Sequence, residues 1–301
     1  PRERQTVFSL GLPGLGFQVE PRRIYPRENL ASHVLGWTNV DLKGAAGAER
    51  AFEVELVHPE ALPKKLSLDM RIQFALDDEL NKGMKRFAAK AVSGIVLNVK
   101  TGEILAMASK PDFDPNRFST ALPNNRLNRA TMSTYELGST FKPLTAAMAL
   151  ESGIDPKIEL PVQNPVIIRR KSISDDHKSN APLAMFDILA QSSNRGMSLY
   201  ALSVGEEGHR DFLSKLGLFD RVPIELVESA APQLPSEWQD LTTATVSFGH
   251  GIAVTPLALA TALIPLFNGG NYIAPTLEYK SPGKPIDKRR VLSENTAATM
   301  V

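Results

Sequence analysis

The most informative absence from this 301-residue chain is cysteine, of which there is none. Disulfide bonds, thiol catalysis and cysteine-ligated metals are therefore excluded. No apolar run reaches the length of about eighteen residues that a membrane-spanning helix needs. The net charge is only +1, which gives no reason to expect nucleic acid or another polyanion as a partner.

The opening stretch, Pro1 followed by charged residues, does not have the pattern of a signal peptide. We therefore expect either a cytoplasmic protein or a targeting segment upstream of Pro1. The composition, with 43% hydrophobic and 22% charged residues, is that of an ordinary globular protein. Because 301 residues exceed the usual size of one domain, we expect one large domain and a smaller one.

The first 65 residues differ in texture from the rest of the chain. They are rich in proline, glycine and arginine, which predicts a short irregular segment. Pro59 and Pro63, followed by two lysines, predict a linker at its end. Beyond it, Met70 to Ala91 reads as a long amphipathic helix, because apolar residues recur near the 3.6-residue period. These residues are Ile72, Leu76, Leu80, Met84 and Phe87.

Residues 94–108 predict a β-hairpin, with one apolar strand on each side of the turn at residues 100–102. Further helices are predicted at residues 141–150, 183–191, 197–204 and 256–267. Gly153 fits the C-terminal end of the first of these. One hairpin among many helices indicates an α/β or α+β protein with an antiparallel sheet flanked by helices.

The strongest local signal is the sequence GSTFKP at residues 138–143. Ser139 and Lys142 are three residues apart and share one face of a helix. Pro143 is tolerated only if the helix starts near Ser139, where backbone amides favour negative charge. Lys142 is near enough to act as the base for a serine nucleophile. It must then be neutral, so burial or neighbouring cations have to lower its pKa from about 10.4.

The same spacing also has an ordinary explanation, a helix-capping serine and a solvated lysine. Ser-x-x-Lys arises by chance about once in a chain of this length. A second copy at residues 281–284 contains Pro-Gly, which predicts a surface loop instead of a helix.

A second candidate is QSSN at residues 191–194, between two predicted helices. Ser192 and Asn194 could aim a hydroxyl and an amide at one cleft. The alternative is an N-cap for the following helix, which serine and asparagine favour. A similar Ser-x-Asn at residues 293–295 is predicted to cap only a short Thr/Ala run.

Together the two motifs, in order, resemble the serine penicillin-recognising enzymes. Their flanks narrow the resemblance to class B penicillin-binding proteins, and GWTNVD at residues 36–41 favours the septal, FtsI-type members. The supporting segments are YELGSTFKP at 135–143, ISDDH at 173–177, SFGHG at 247–251, VTPL at 254–257, RRIYP at 22–26, HVLGWTNV at 33–40 and GAE at 47–49.

This resemblance implies a serine transpeptidase fold and specific roles. Ser139 would be the nucleophile, Lys142 its base, Ser192 a proton relay and Asn194 a substrate contact. The Ser139 amide would form half of the oxyanion hole. Residues 1–65 would be the end of a pedestal domain plus linker, and residues 66–301 the transpeptidase domain.

The family's third motif, Lys-Thr/Ser-Gly, should follow the second. The only such tripeptide, at residues 100–102, precedes Ser139 and lies in a predicted hairpin turn, so we reject it as the active-site motif. The resemblance therefore implies that the third motif and the last strands lie beyond Val301.

The implied activity is peptidoglycan D,D-transpeptidation during septal cell-wall synthesis, with β-lactams acylating Ser139. The implied partners are D-Ala-D-Ala stem peptides, β-lactam antibiotics and membrane division proteins. The implied location is the periplasmic face of the bacterial inner membrane, anchored by an upstream segment. Three alternatives remain: a β-lactamase, a β-lactam sensor or scaffold without turnover, and an inert fragment.

Metal and cofactor sites are not expected. Asp175, Asp176 and His177 could suggest a metal, but no second ligand cluster accompanies them. No Gly-x-Ser-x-Gly elbow or phosphate-binding glycine loop occurs.

Overall fold

The computed structural model describes residues 2–58, 60 and 62–301, so Pro59 of the predicted linker lies outside the described residues. Helices dominate this part of the chain. They are α1 Arg2–Phe8, α2 Ser32–Leu35, α3 Gly47–Ala51, α4 Glu53–Leu56, α5 Met70–Arg86, α6 Arg129–Met132, α7 Lys142–Glu151, α8 Met185–Ala190, α9 Asn194–Lys215, α10 Asp240–Val246, α11 Pro256–Phe267 and α12 Glu294–Met300.

The strands pair into two-stranded antiparallel sheets. They are β1 Trp37–Thr38, β2 Gly44–Ala46, β3 Val92–Leu97, β4 Ile104–Lys110, β5 Val166–Ile168, β6 Lys171–Ile173, β7 Asn271–Tyr272 and β8 Arg289–Arg290. Three short 3₁₀ segments connect larger elements: Pro115–Thr120, Pro123–Asn125 and Gly138–Phe141. In the described residues no helix has the length and apolar character needed to cross a membrane.

The predicted hairpin is confirmed as β3 and β4, which pair from Val92 opposite Lys110 to Leu97 opposite Ile104. Residues 100–102 form its turn, where Gly102 takes a positive φ of 75°. A Cβ at Gly102 would lie 2.3 Å from the Ala274 carbonyl oxygen. Only glycine therefore fits this turn.

Helix α5 confirms the predicted amphipathic helix but ends at Arg86 instead of Ala91. Ala88 takes a left-handed φ of 47°, which ends the helix and leaves Phe87 73% exposed. The one fully buried side chain in α5 is polar: the Gln73 amide accepts from Met107 N and donates to Met107 O. The apolar pattern could not reveal this pairing with β4.

The main core forms where α7, α9 and α11 meet the hairpin. Helix α11 coincides with its predicted bounds, and Thr255 caps it by accepting from Ala258 N. Helix α7 is buried almost along its whole length, and Gly153 follows its end with a φ of 83°. A side chain carried by α7 is therefore held by a packed scaffold.

Helix α9 is longer than predicted, because it begins at Asn194 and runs to Lys215. Its backbone is broken at Gly205, which has a φ of 86° and a ψ of 170°. The charged residues around this glycine hid the second half from a periodicity argument. Helix α8 lies within its predicted bounds, and Ser293 caps the Thr/Ala run as predicted, by accepting from Thr296 N at the start of α12.

The prediction that the first 65 residues are irregular is wrong for Arg2–Phe8, which forms α1, and for residues 32–56, which contain α2–α4 and the β1–β2 pair. The chain from Tyr25 to Trp37 docks onto the loop after β4, residues 111–128. Tyr25 and Asn116 exchange hydrogen bonds through the Tyr25 backbone, each 2.9 Å long. Trp37 stacks on Phe118 and meets Phe113 edge-on. Aromatic packing across about eighty residues of sequence thus orders this segment.

Candidate active site

Ser139 lies at the entry to the central helix. It occupies the 3₁₀ turn Gly138–Phe141, and α7 follows at once from Lys142. Gly138 supports the entry with a φ of 56°. The predicted helix start near Ser139 is thereby confirmed, and Pro143 lies in the first turn of α7, where its missing N–H costs no bond. Ser139 is exposed, whereas Lys142 is only 2% exposed.

The Lys142 ammonium faces the turn before α9. Its Nζ donates to the Ser192 carbonyl oxygen at 2.5 Å and to Ser192 Oγ at 2.8 Å. Among the described residues it forms no ion pair with a carboxylate. Burial lowers the pKa of Lys142, and the charges of Asp175 and Asp176 oppose this shift. Of the two causes foreseen from the sequence, burial operates, while the neighbouring charges are anions instead of cations.

Ser192 connects the lysine to Ser139. Its hydroxyl lies 3.1 Å from Ser139 Oγ, so Ser139 Oγ, Ser192 Oγ and Lys142 Nζ form a chain of hydrogen-bonding atoms. Because a hydroxyl both donates and accepts, this chain can pass a proton in either direction. Ser192 adopts a left-handed φ of 53°, a conformation that serine rarely takes without surrounding support.

The capping role belongs to the next residue. Ser193 Oγ accepts from Gly196 N at 3.0 Å and donates to Asp175 Oδ2 at 2.7 Å. The two interpretations of this motif are therefore divided between neighbouring serines: Ser193 caps α9, and Ser192 faces Lys142.

Asn194 is the first residue of α9, beside these serines. Its Nδ2 donates to the Ser174 carbonyl oxygen at 3.0 Å. This bond orients the amide and leaves its Oδ1 without a protein donor among the described residues. The structure thus brings Ser139, Lys142, Ser192 and Asn194 into one neighbourhood.

The segment at residues 247–251 lies directly behind Ser139. Gly138 N donates to the Gly249 carbonyl oxygen at 3.3 Å, and a Cβ at Gly249 would lie 2.3 Å from the Gly138 carbonyl oxygen. The Glu136 carboxylate accepts from Gly251 N at 3.0 Å. The sequence of this segment contributed only to the family resemblance and predicted no contact with Ser139.

The Lys-Thr-Gly tripeptide at residues 100–102, rejected above as the third motif, makes contacts within and next to the β3–β4 hairpin. Thr276 N donates to the Gly102 carbonyl oxygen at 2.9 Å, and the Thr101 hydroxyl donates to Glu103 Oε2 at 2.8 Å. These contacts hold the tripeptide in the hairpin turn. This position agrees with its rejection as the active-site motif.

Comparison with known proteins gives a consistent result. The family model described as the penicillin binding protein transpeptidase domain matches residues 92–301. A probable peptidoglycan D,D-transpeptidase FtsI of Caulobacter vibrioides is 41% identical over 305 residues, spanning 100% of this chain and 52% of that protein. The peptidoglycan D,D-transpeptidase FtsI of Escherichia coli K12 is 31% identical over 321 residues, spanning 98% and 54%.

A crystal structure from Atopobium parvulum DSM 20469 shares the fold with a TM-score of 0.83. It is 23% identical and covers 93% of this chain and 70% of that chain. The chain spans about half the length of the curated relatives it matches.

Proposed function

This chain belongs to the penicillin-binding protein transpeptidase domain family, and on that premise we propose that its parent protein is a septal peptidoglycan D,D-transpeptidase with Ser139 as nucleophile. The observation that carries the proposal is the hydrogen-bonded chain from Ser139 through Ser192 to a buried Lys142. Such a chain gives an alcohol nucleophile a route for its proton to a base.

In the proposed acylation, Ser139 Oγ attacks the carbonyl of the penultimate D-alanine in a stem peptide. Its proton passes to Ser192 Oγ, whose own proton passes to neutral Lys142 Nζ. The tetrahedral intermediate collapses when the C–N bond breaks and the terminal D-alanine leaves with a proton returned by the same route. An amine of a neighbouring stem peptide then attacks the ester carbonyl, the C–O bond to Ser139 breaks as the amide cross-link forms, and a proton from the amine passes to Ser139 Oγ.

Burial of Lys142 supports the base role, because the fraction of neutral amine at a given pH rises as its pKa falls. The open Oδ1 of Asn194 supports the substrate role, since it can accept from a backbone N–H of the stem peptide.

We propose residues 66–301 as the transpeptidase domain and residues 1–65 as part of its pedestal. Membrane division proteins as partners and a periplasmic location at the inner membrane complete the proposal.

Acylation by a penicillin tests the nucleophile. The purified full-length protein should gain the mass of one penicillin, located by peptide mass spectrometry on Ser139. The Ser139→Ala variant should gain none, and Thr140→Ala is a matched control because that hydroxyl donates instead to the Leu137 carbonyl oxygen. An adduct that persists in Ser139→Ala would overturn the proposal.

Adduct formation, turnover of a chromogenic β-lactam and cross-linking of stem peptides together separate the alternatives. Rapid turnover of a chromogenic β-lactam would identify a β-lactamase. A stable adduct without cross-linking of stem peptides would identify a sensor, and an intact full-length protein that forms no adduct would identify a scaffold.

A further inference from the structure

Asp175 is a buried carboxylate beside the proposed site, two residues after β6. Both of its oxygens are used by the start of α9: Oδ2 accepts from Ser193 Oγ at 2.7 Å, and Oδ1 accepts from Arg195 N at 3.0 Å. It is 8% exposed. A carboxylate at a helix N-terminus is favoured both by the free amides and by the helix dipole.

Side-chain bonds in the opposite direction join the same two segments. Asn194 Nδ2 donates to the Ser174 carbonyl oxygen at 3.0 Å, and Arg195 Nε donates to the Ile173 carbonyl oxygen at 3.2 Å. The Arg195 guanidinium also donates to the Val162 carbonyl oxygen at 3.0 Å. Residues 173–175 and 193–195 are therefore connected by four hydrogen bonds and form one hydrogen-bonded unit.

Ser192 directly precedes this unit. Its left-handed φ of 53° costs about 1–2 kcal/mol in a non-glycine residue, so neighbouring contacts must hold it. Its carbonyl and hydroxyl oxygens both accept from Lys142 Nζ. Displacement of Ser193 would rotate Ser192 and break the connection between Lys142 and Ser139.

We propose that Asp175 is a positioning residue for the acyl-transfer reaction, holding the Ser192 turn where its hydroxyl bridges Lys142 and Ser139. This inference rests on the proposed function and adds a residue to it. Asp175 acts through Ser193 and touches neither substrate nor the reacting atoms.

The charge of Asp175 has a second, separable effect. The carboxylates whose fields favour protonated Lys142 are Asp175 and Asp176, and burial of the amine opposes them. Arg195 is the cation next to Asp175, joined to the same segment. Asp176 is exposed and makes none of the hydrogen bonds described above, so it provides a matched control for charge without positioning.

The test compares Asp175→Asn with Asp176→Asn in the full-length protein, measuring the second-order rate constant of penicillin acylation against pH. Either change should lower the pKa of Lys142 further and move the acidic limb of the profile to lower pH. At the alkaline plateau Lys142 is neutral in every variant, so the plateau reports geometry alone. Asp175→Asn should lower the plateau about tenfold or more, and Asp176→Asn should leave it unchanged.

Ser193→Ala is the second variant, because it removes the bond to Asp175, together with the cap on Gly196 N, and keeps the charge of Asp175. Its plateau should fall as that of Asp175→Asn does. Melting temperatures identify a variant that fails to fold. If Asp175→Asn is unfolded at the assay temperature, Ser193→Ala decides the outcome. Equal plateaus in wild type and either folded variant would overturn the inference while leaving the nucleophile proposal intact.

A readout independent of acylation separates the two proposals. NMR of lysine labelled with ¹³C at Cε follows Lys142, whose resonance is identified by its loss in Lys142→Arg. Asp175→Asn and Ser193→Ala should both move that resonance, because Lys142 loses its contact with Ser192. If wild type is not acylated on Ser139, the proposed function fails. An unmoved resonance in folded Ser193→Ala, which keeps the charge of Asp175, would then overturn the positioning role as well, and a moved resonance in that variant supports it.

Discussion

His209 shows how a single buried side chain makes stability depend on pH. It is 1% exposed, and neither ring nitrogen has a hydrogen-bond partner among the described residues. Its ring meets Trp238 edge-on at 5.9 Å. Burial lowers the pKa of His209 to about 4 from 6.5. The folded protein therefore holds this histidine in its neutral form throughout the physiological range.

We predict that the free energy of unfolding falls as the pH is lowered from 6.5 to 4. In that window the unfolded chain binds a proton at residue 209 and the folded protein does not, so the loss grows to about 3 kcal/mol near pH 4. Urea denaturation across this range measures it. His33, whose pKa burial also lowers to about 4, contributes in the same direction.

His209→Phe keeps a ring against Trp238 and cannot titrate, so its stability should fall less steeply over the same range. Combination with His33→Phe should flatten the curve further. Parallel curves for wild type and His209→Phe would contradict the prediction.

Among the elements, the turn at residues 247–251 offers a matched pair of glycines. Gly249 and Gly251 have almost the same φ, 80° and 83°. A Cβ at Gly249 would lie 2.3 Å from the Gly138 carbonyl oxygen, whereas a Cβ at Gly251 would come no closer than 3.6 Å to its nearest neighbour, Thr245 Oγ1. The two positions thus share backbone strain and differ in steric room.

We predict that Gly249→Ala displaces the Ser139 turn and lowers the penicillin acylation rate about tenfold or more. Gly251→Ala should keep nearly the wild-type rate and lose only about 1 kcal/mol of stability from its positive φ. Stopped-flow acylation and thermal melts measure the two effects. Similar acylation rates for the two variants would show that the contact with Gly138 does not position Ser139.

The same elements show what a sequence can and cannot reveal. Helix α11 and the β3–β4 hairpin were predicted closely, because local periodicity and turn residues determine them. Helix α5 was extended too far, since nothing local announces the left-handed Ala88. Helix α10 was missed because its seven residues show no clear apolar stripe.

The neighbourhood of Ser139, Lys142, Ser192 and Asn194 was predicted from motif resemblance. Its internal geometry was not. The connection from Lys142 through Ser192 to Ser139 depends on contacts about fifty residues apart, which spacing cannot show. The bonds from Asp175 to α9 likewise arise only when β6 folds back against that helix.

At the scale of the whole molecule, the N-terminal residues divide into an exposed part and a docked part. Residues 3–20 are exposed throughout, including Phe8 and Leu10 at 65% and 63%. From Tyr25 onward the chain packs against the loop at residues 111–128. We therefore expect residues 3–20 to contribute little to the free energy of unfolding, and the residues from about Tyr25 onward to contribute to it.

We predict that deleting residues 1–20 changes the melting temperature by no more than about 2 °C, since exposed side chains contribute little. Trp37→Ala should lower it by about 5 °C or more, because Trp37 loses its contacts with Phe113 and Phe118. Differential scanning calorimetry compares them. A deletion as damaging as Trp37→Ala would show that the exposed residues support the core.

The hydrogen bonds between Tyr25 and Asn116 also determine where a force applied to the N-terminal segment would be transmitted. Tension applied to the chain upstream of Arg23 meets the folded body at the Arg23–Glu49 ion pair and then at these two hydrogen bonds. It passes from Asn116 into the loop at residues 111–128, which leads through α6 to the turn that carries Ser139. A force applied to the N-terminal segment would thus reach the loop that leads to Ser139, the proposed nucleophile, without passing through the predicted linker around residue 60.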